Sequence, residues 1–102
     1  MNHSKAMSLL GLANRARKVI SGEELVLKDI KSGRAKLVLL SKDASQNTSK
    51  RIQDKCLYYN VPVVMVDNRE ELGSAIGKEA RVVVAVSDTG FAKKLTTLLE
   101  RT

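Results

Sequence analysis

The chain has 102 residues, one domain's worth, with a hydrophobic share of 43% and only Phe91, Tyr58 and Tyr59 as aromatics. Its core must therefore come from Val, Leu, Ile and Ala, and its net charge of +7 favours an anionic partner such as nucleic acid, an acidic protein or an anionic membrane face. A single cysteine, Cys56, excludes an internal disulfide; with one histidine it also makes a clustered metal site implausible, and it fits a reducing, cytoplasmic setting.

The basic surplus is uneven. Residues 1 to 36 hold eight Lys or Arg against three Asp or Glu, whereas residues 37 to 102 hold ten against eight. No apolar run approaches the roughly 18 residues a membrane span needs, and the first fifteen residues lack a signal-peptide pattern, so the chain is expected to be neither inserted nor exported.

In chain order, Ala6, Met7, Leu9, Leu10 and Ala13 predict a helix over 4–14 that ends in the cations Arg15, Arg17 and Lys18. Lys18 to Ile20 has room only for a short strand. Ser21-Gly-Glu-Glu24 then starts a second helix, with Ser21 as N-cap, Glu24 closing an S-x-x-E capping box, and Ile20 and Leu25 in the positions of a hydrophobic staple. Lys31 and Gly33 mark the end of this helix.

Three continuous apolar runs follow: Lys36 to Leu40, Val61 to Val66 and Arg81 to Val86. Each reads as a strand covered on both faces. Pro62 hints that the second of them lies at a sheet edge. Polar steps after the runs predict caps: Asp43 or Ser45 for a helix carrying Ile52, Cys56 and Tyr59; Asn68 with Glu71 for the next; and Ser87-Asp88 for a last helix carrying Phe91, Leu95, Leu98 and Leu99. The β-α alternation predicts a three-layer α/β/α sandwich around a mixed, mostly parallel sheet of about four strands.

Enzymatic motifs are missing. The six glycines never take the G-x-G-x-x-G spacing, no P-loop is present, and His3, near the terminus, is the only candidate imidazole base. Cys56 falls in the apolar register of a helix and reads as a structural thiol. Asp67 and Asp43 stand where a phosphoacceptor site would have them, yet helix capping accounts for both.

The start of the second helix is different. Gly22 costs helix stability that almost any other residue would avoid, and it admits a close-approaching backbone. Arg15, Arg17 and Lys18 precede this helix end and Lys28 follows two turns in, so a phosphate-bearing partner suits the location. Glu23 and Glu24 repel phosphates but accept hydrogen bonds from base amino groups, so the combination fits nucleic acid with an unusual base-pair edge.

The run ANRARKVISGEELVLKDIKSGRAKLVLLSKDAS resembles the kink-turn-binding ribosomal protein superfamily of the L-seven-Ae and L-thirty-e type, most closely its small bacterial members. The similarity continues to LGSAIGKEARVVVAVSD near the end. Archaeal members carry Gly-Thr-Asn-Glu-x-x-Lys at this helix start, which falls here on Gly22, Glu23, Glu24, Leu25 and Lys28, with a family lysine upstream on Lys18. The resemblance implies a non-enzymatic, cytoplasmic protein, ribosome- or RNP-associated, that takes no cofactor, metal, membrane or small-molecule substrate and acts as a monomer. It implies contacts to kink-turn RNA from Arg17, Lys18, Gly22, Glu23, Glu24 and Lys28, and from Lys78, Ala80 and Arg81 in the loop before the last strand. Glu24 replaces an amide by an acceptor, and Leu25 replaces a carboxylate by an apolar group. A protein-interaction adaptor on the same fold is the alternative.

Overall fold

The four strands form one open sheet in the order β1-β4-β2-β3. The structure is a computed structural model and describes residues 2–100, the side chain of residue 2 excepted. The elements run α1 (Asn2–Arg15), β1 (Val19–Ser21), α2 (Glu23–Ser32), β2 (Leu37–Ser41), α3 (Gln46–Tyr58), β3 (Val63–Val66), α4 (Arg69–Ala75), β4 (Val83–Val86) and α5 (Thr89–Glu100).

Strand residues alternate between two cores. Leu37, Leu39, Val64, Val66, Val84 and Val86 point into a layer completed by α1, α4 and α5. Val38, Leu40, Val83 and Ala85 point the other way, against Val26, Leu27 and Ile30 of α2 and Ile52 and Cys56 of α3. This is the expected three-layer sandwich, and the unbroken apolar runs follow from it: every residue of β2 and β4 is buried because both faces are covered. Cys56 is buried, and burial pushes its thiol up to about 11, so it fills space as a neutral group.

The sheet is mixed, but its balance departs from expectation. Only β2 and β3 pair in parallel; β1 with β4 and β2 with β4 are antiparallel. The cause is that β4 inserts between β1 and β2 with opposite direction, after α4 and the 76–82 loop have carried the chain across the sheet. β3 is left at the edge, as Pro62 suggested, with Met65 partly exposed.

Four cap assignments agree with the sequence. The Ser45 hydroxyl accepts from the Thr48 amide at 3.2 Å, Asn68 Oδ1 from the Glu71 amide at 2.8 Å, and Asp88 Oδ2 from the Phe91 amide at 2.8 Å. Gly33 closes α2 in the left-handed conformation, φ 82°. Tyr59 lies just past α3 as its C-cap, 40% exposed, instead of joining the core with Ile52 and Cys56. Asp43 caps nothing on its own helix. Its carboxylate is held below the usual range by the Ser41 hydroxyl and then by the Arg69 amide and guanidinium, which ties the turn after β2 to the start of α4. Asp67 pairs with Lys42 at 3.2 Å.

The capping box at α2 does not form. Ser21 is the last residue of β1, opposite Val84, and the N-cap is Gly22, with no side-chain cap hydrogen bond. Strand pairing with β4 holds Ser21 in extended conformation, so the helix starts one residue later than the S-x-x-E pattern implies. The staple fails with it: Ile20 packs against the α2–α3 core while Leu25 is 56% exposed. Ser21→Ala should thus change stability by no more than about 0.5 kcal/mol, whereas Ser45→Ala should cost about 1 kcal/mol. Paired urea melts check this: equal losses for the two variants would contradict the observed caps.

Candidate nucleic-acid interface

Strand directions decide which loops meet. β1, β2 and β3 all end at the rim where the antiparallel β4 begins. That rim gathers the starts of α2, α3 and α4 together with the 76–82 loop. The Gly22 amide donates to the Val83 carbonyl at 3.2 Å and the Ser41 amide to the Val82 carbonyl at 2.8 Å, so α2 starts directly beside the strand that the loop feeds.

Gly22 has φ 102° and ψ 142°, a backbone state open only to glycine without strain. Backbone geometry is therefore what requires glycine here, since its N–H completes the pairing with β4 while its carbonyl accepts from Val26 to open the helix. Nothing lies within 4 Å of where a Cβ would stand, so the position also remains open to an approaching partner. The first-turn amides of α2 receive no side-chain cap, which leaves donors for an anion.

The two glutamates have separate roles. Glu23 is partly buried: Oε1 accepts from the Thr48 hydroxyl at 2.9 Å and Oε2 from Arg51 Nη1 at 2.6 Å. Those bonds, Thr48 first, hold its carboxyl below the usual carboxylate range. Glu24 is exposed, with Oε2 at 3.1 Å from the same Arg51 nitrogen. One guanidinium thus offsets both carboxylates through a single nitrogen, Nη1, and its Nη2 and Nε make no hydrogen bond among the described residues. Glu23 joins α2 to α3; Glu24 faces outward, paired with Arg51 through Oε2 only.

The 76–82 loop is strapped onto α4. The Lys78 amide donates to the Gly73 carbonyl at 2.9 Å and the Arg81 amide to the Arg69 carbonyl at 3.0 Å, with Gly77 at φ 70° making the turn. Lys78 and Ala80 are exposed and Arg81 is half-buried. A depression of about 260 Å³ joins loop and helix, lined by Ser21 and Leu25 on one side, Ile76 and Lys78 on the other, and Asn14 at its edge. Asn14 Nδ2 donates to the Ile76 carbonyl at 3.2 Å.

Of the expected site residues, Gly22, Glu23, Glu24, Lys78, Ala80 and Arg81 are brought to this rim. Lys28 is exposed one helical turn beyond Glu24 on the same side of α2. Arg17 and Lys18 are not beside the helix end: the Lys18 carbonyl accepts from the Ser87 amide, past the opposite end of β4. Four residues of extended chain, about 13 Å, separate Lys18 from Gly22. Both cations are exposed on that flank, Arg17 with a positive φ of 62°. Among the described residues, Lys18, Lys28, Lys78 and Arg81 make no ion pair.

Sequence reading missed Arg51, Thr48 and Leu25. Arg51 carried no local signal, because only the shared rim puts the second turn of α3 against the first turn of α2. Leu25, assigned to a staple, instead presents an apolar wall to the depression.

Fold and rim together define a small α/β/α domain with an open, cation-bearing edge. The chain belongs to the ribosomal protein L7Ae/L30e/S12e/Gadd45 family, whose model matches residues 4–96. It is 66% identical over 92 residues to the Bacillus subtilis RNA-binding protein YlxQ, covering 90% of this chain and 92% of that one. It is 30% identical over 92 residues to the large ribosomal subunit protein eL8 of Thermoplasma volcanium, covering 89% and 76% of the two chains. A solved structure of a Bacillus halodurans protein of unknown function superposes with a TM-score of 0.93 at 50% identity, over 95% of this chain and 98% of that one. The Giardia lamblia 15.5kD RNA binding protein shares the fold, with a TM-score of 0.84 at 18% identity over 99% and 88% of the chains.

Proposed function

We propose that this chain is a non-enzymatic, cytoplasmic RNA-binding protein, associated with the ribosome or another ribonucleoprotein, that clamps kinked RNA between the start of α2 and the 76–82 loop. The observation that carries the reading is the antiparallel pairing of β1 with β4, which brings the uncapped start of α2 beside the 76–82 loop, with Ser21 and Leu25 facing Lys78 across one depression. The names of its relatives, RNA-binding and ribosomal, support the same partner.

An ordinary A-form major groove is too narrow for side chains to read bases, so a bend that opens base edges gives Glu24 and the Gly22 turn something to meet. Glu24 accepts from base amino or imino groups; Glu23 holds the helix end through Thr48 and Arg51 and offers its remaining lone pairs. Lys28, Lys78 and Arg81 take phosphates, and Ala80 leaves room for the sugar-phosphate chain. Arg17 and Lys18 take the strand as it passes along the β1 flank. Because these contacts are made to the bent form, binding shifts an RNA that samples straight and kinked states toward the kink.

The test compares a kink-turn RNA with a straight duplex of equal length across a salt series. The kinked RNA should bind more tightly by over about tenfold, with log K falling steeply against log salt. Lys28→Ala should weaken both RNAs and reduce the salt slope by about one. Equal affinities for the two shapes would reduce the reading to unspecific electrostatics. Absence of binding at low salt would favour the adaptor, for which exposed Leu25 and the ion-paired glutamates are the features that speak.

A further inference from the structure

We propose that the trough between α2 and α3 is a second RNA contact, which guides unpaired nucleotides away from the rim and stacks a base on Tyr58. This inference rests on the kinked-RNA reading, whose exit path it describes.

The first observation is where the aromatics are. With no tryptophan and three aromatic residues in all, the chain keeps both tyrosines at one surface spot. Tyr58 is 78% exposed at the end of α3, and its ring and that of Tyr59 stand T-shaped at 4.9 Å between centroids, which leaves most of the Tyr58 side chain to solvent. A core starved of aromatics that still exposes two of three is not explained by packing.

The second observation is what leads there. Arg51, Lys55 and Tyr58 stand at i, i+4 and i+7, one stripe along α3. Because Arg51 reaches Glu23 and Glu24, this is the stripe that faces α2. On α2 the matching stripe is Glu24, Lys28 and Lys31. Both helices start at the rim and cover the same sheet face, so the Arg51–Glu24 contact is where the two stripes meet. From there outward the walls carry a cationic surplus: Lys28, Lys31 and Lys55 make no ion pair among the described residues, while Asp54, the carboxylate beside them on α3, is paired with Lys50 at 3.2 Å. The path from Arg51 to Tyr58 is seven helical residues, about 10 Å.

Cations tracking a backbone and an exposed ring receiving a base are the two parts of a sequence-tolerant single-strand site. The charge selects against a basic or neutral protein partner, and continuity with the rim selects for the nucleic acid already held there. The stacked base comes from an unpaired flank, because a duplex keeps its base faces covered.

The absence of tryptophan supplies a direct readout: intrinsic tyrosine emission reports this patch and nothing else in the chain. The full chain is titrated with a minimal kink-turn RNA and with the same RNA carrying about six unpaired uridines at each end. Overhangs should tighten binding by about tenfold and quench tyrosine emission, as stacking of one base provides. Tyr58→Ala should abolish the gain while leaving the minimal RNA's affinity unchanged, and Tyr58→Phe should retain it. Equal affinity with and without overhangs, or a gain that survives Tyr58→Ala, overturns the proposal; so does emission that changes with protein concentration alone, which would make the patch a contact between copies. The comparison of straight with kinked minimal RNA is read separately, so a failure of bend recognition is told apart from a failure of the trough. Quenching by an oligouridylate alone supports the trough whichever way that comparison falls.

Discussion

Gly73→Ala is expected to destabilise the protein by about 3 kcal/mol or more and to lower the melting midpoint by roughly 12 °C or more. Two effects of opposite sign compete. Gly73 lies inside α4, where alanine is favoured over glycine by about 1 kcal/mol of helix propensity. Against that, a Cβ there would stand 1.5 Å from the Glu79 carbonyl oxygen and 2.6 Å from its carbon. Both are backbone atoms that cannot rotate aside, so the contact wins and the 76–82 loop must lift. Lifting it strains the bonds from Lys78 to the Gly73 carbonyl and from Arg81 to the Arg69 carbonyl. Under the proposed function, RNA affinity should then fall further than in Lys78→Ala, because the whole loop is displaced and not one cation. Thermal melts followed by circular dichroism check the first part. A midpoint equal to or above that of the parent would mean that the loop does not rest on α4.

Gly22→Ala should cost about 2 kcal/mol for a different reason, since the added methyl meets nothing within 4 Å. The loss is backbone strain alone: φ 102° with ψ 142° is poorly accessible to an L-residue. Gly33 offers the control. Its φ is also positive, 82°, but with ψ 5° it lies in the left-handed helical region that asparagine tolerates. Gly33→Asn should therefore be mild, under about 1 kcal/mol, while Gly22→Asn should be as damaging as Gly22→Ala. Chemical denaturation of the three variants checks this. If asparagine is accepted equally at both positions, the conformation assigned to Gly22 is wrong. At the rim, strain at Gly22 would also pull its amide from the Val83 carbonyl and shift the start of α2, so RNA affinity should drop with stability.

The features legible in the sequence are those written in neighbouring residues. Unbroken Val, Leu and Ile runs indicate strands covered on both faces, and β2 and β4 are buried throughout. Ser45, Asn68, Asp88 and Gly33 bound the helices where their side chains, or freedom at positive φ, lead one to expect, because a cap is made within one turn of chain. Pro62 marks an edge strand since it lacks the donor that a central strand needs. On the rim, the need for glycine at the start of α2 is equally local, since its positive φ is set by its own backbone. Where local logic fails, it fails by one residue: Ser21 has the chemistry of an N-cap, but its backbone is committed to Val84 across the sheet.

Composition, charge and local pattern thus determined a small basic α/β domain with a glycine-led helix start. Tertiary structure decided what that helix start faces. Strand order and direction depend on contacts between residues far apart in the chain, and no window of sequence records that β4 inserts antiparallel between β1 and β2. From that one pairing comes the closeness of the 76–82 loop to α2; packing of α2 and α3 on one sheet face brings Arg51 to Glu23 and Glu24, and the extended β1 holds Arg17 and Lys18 at its far end. Side chains supply the charge locally; only the assembled sheet puts the charges side by side.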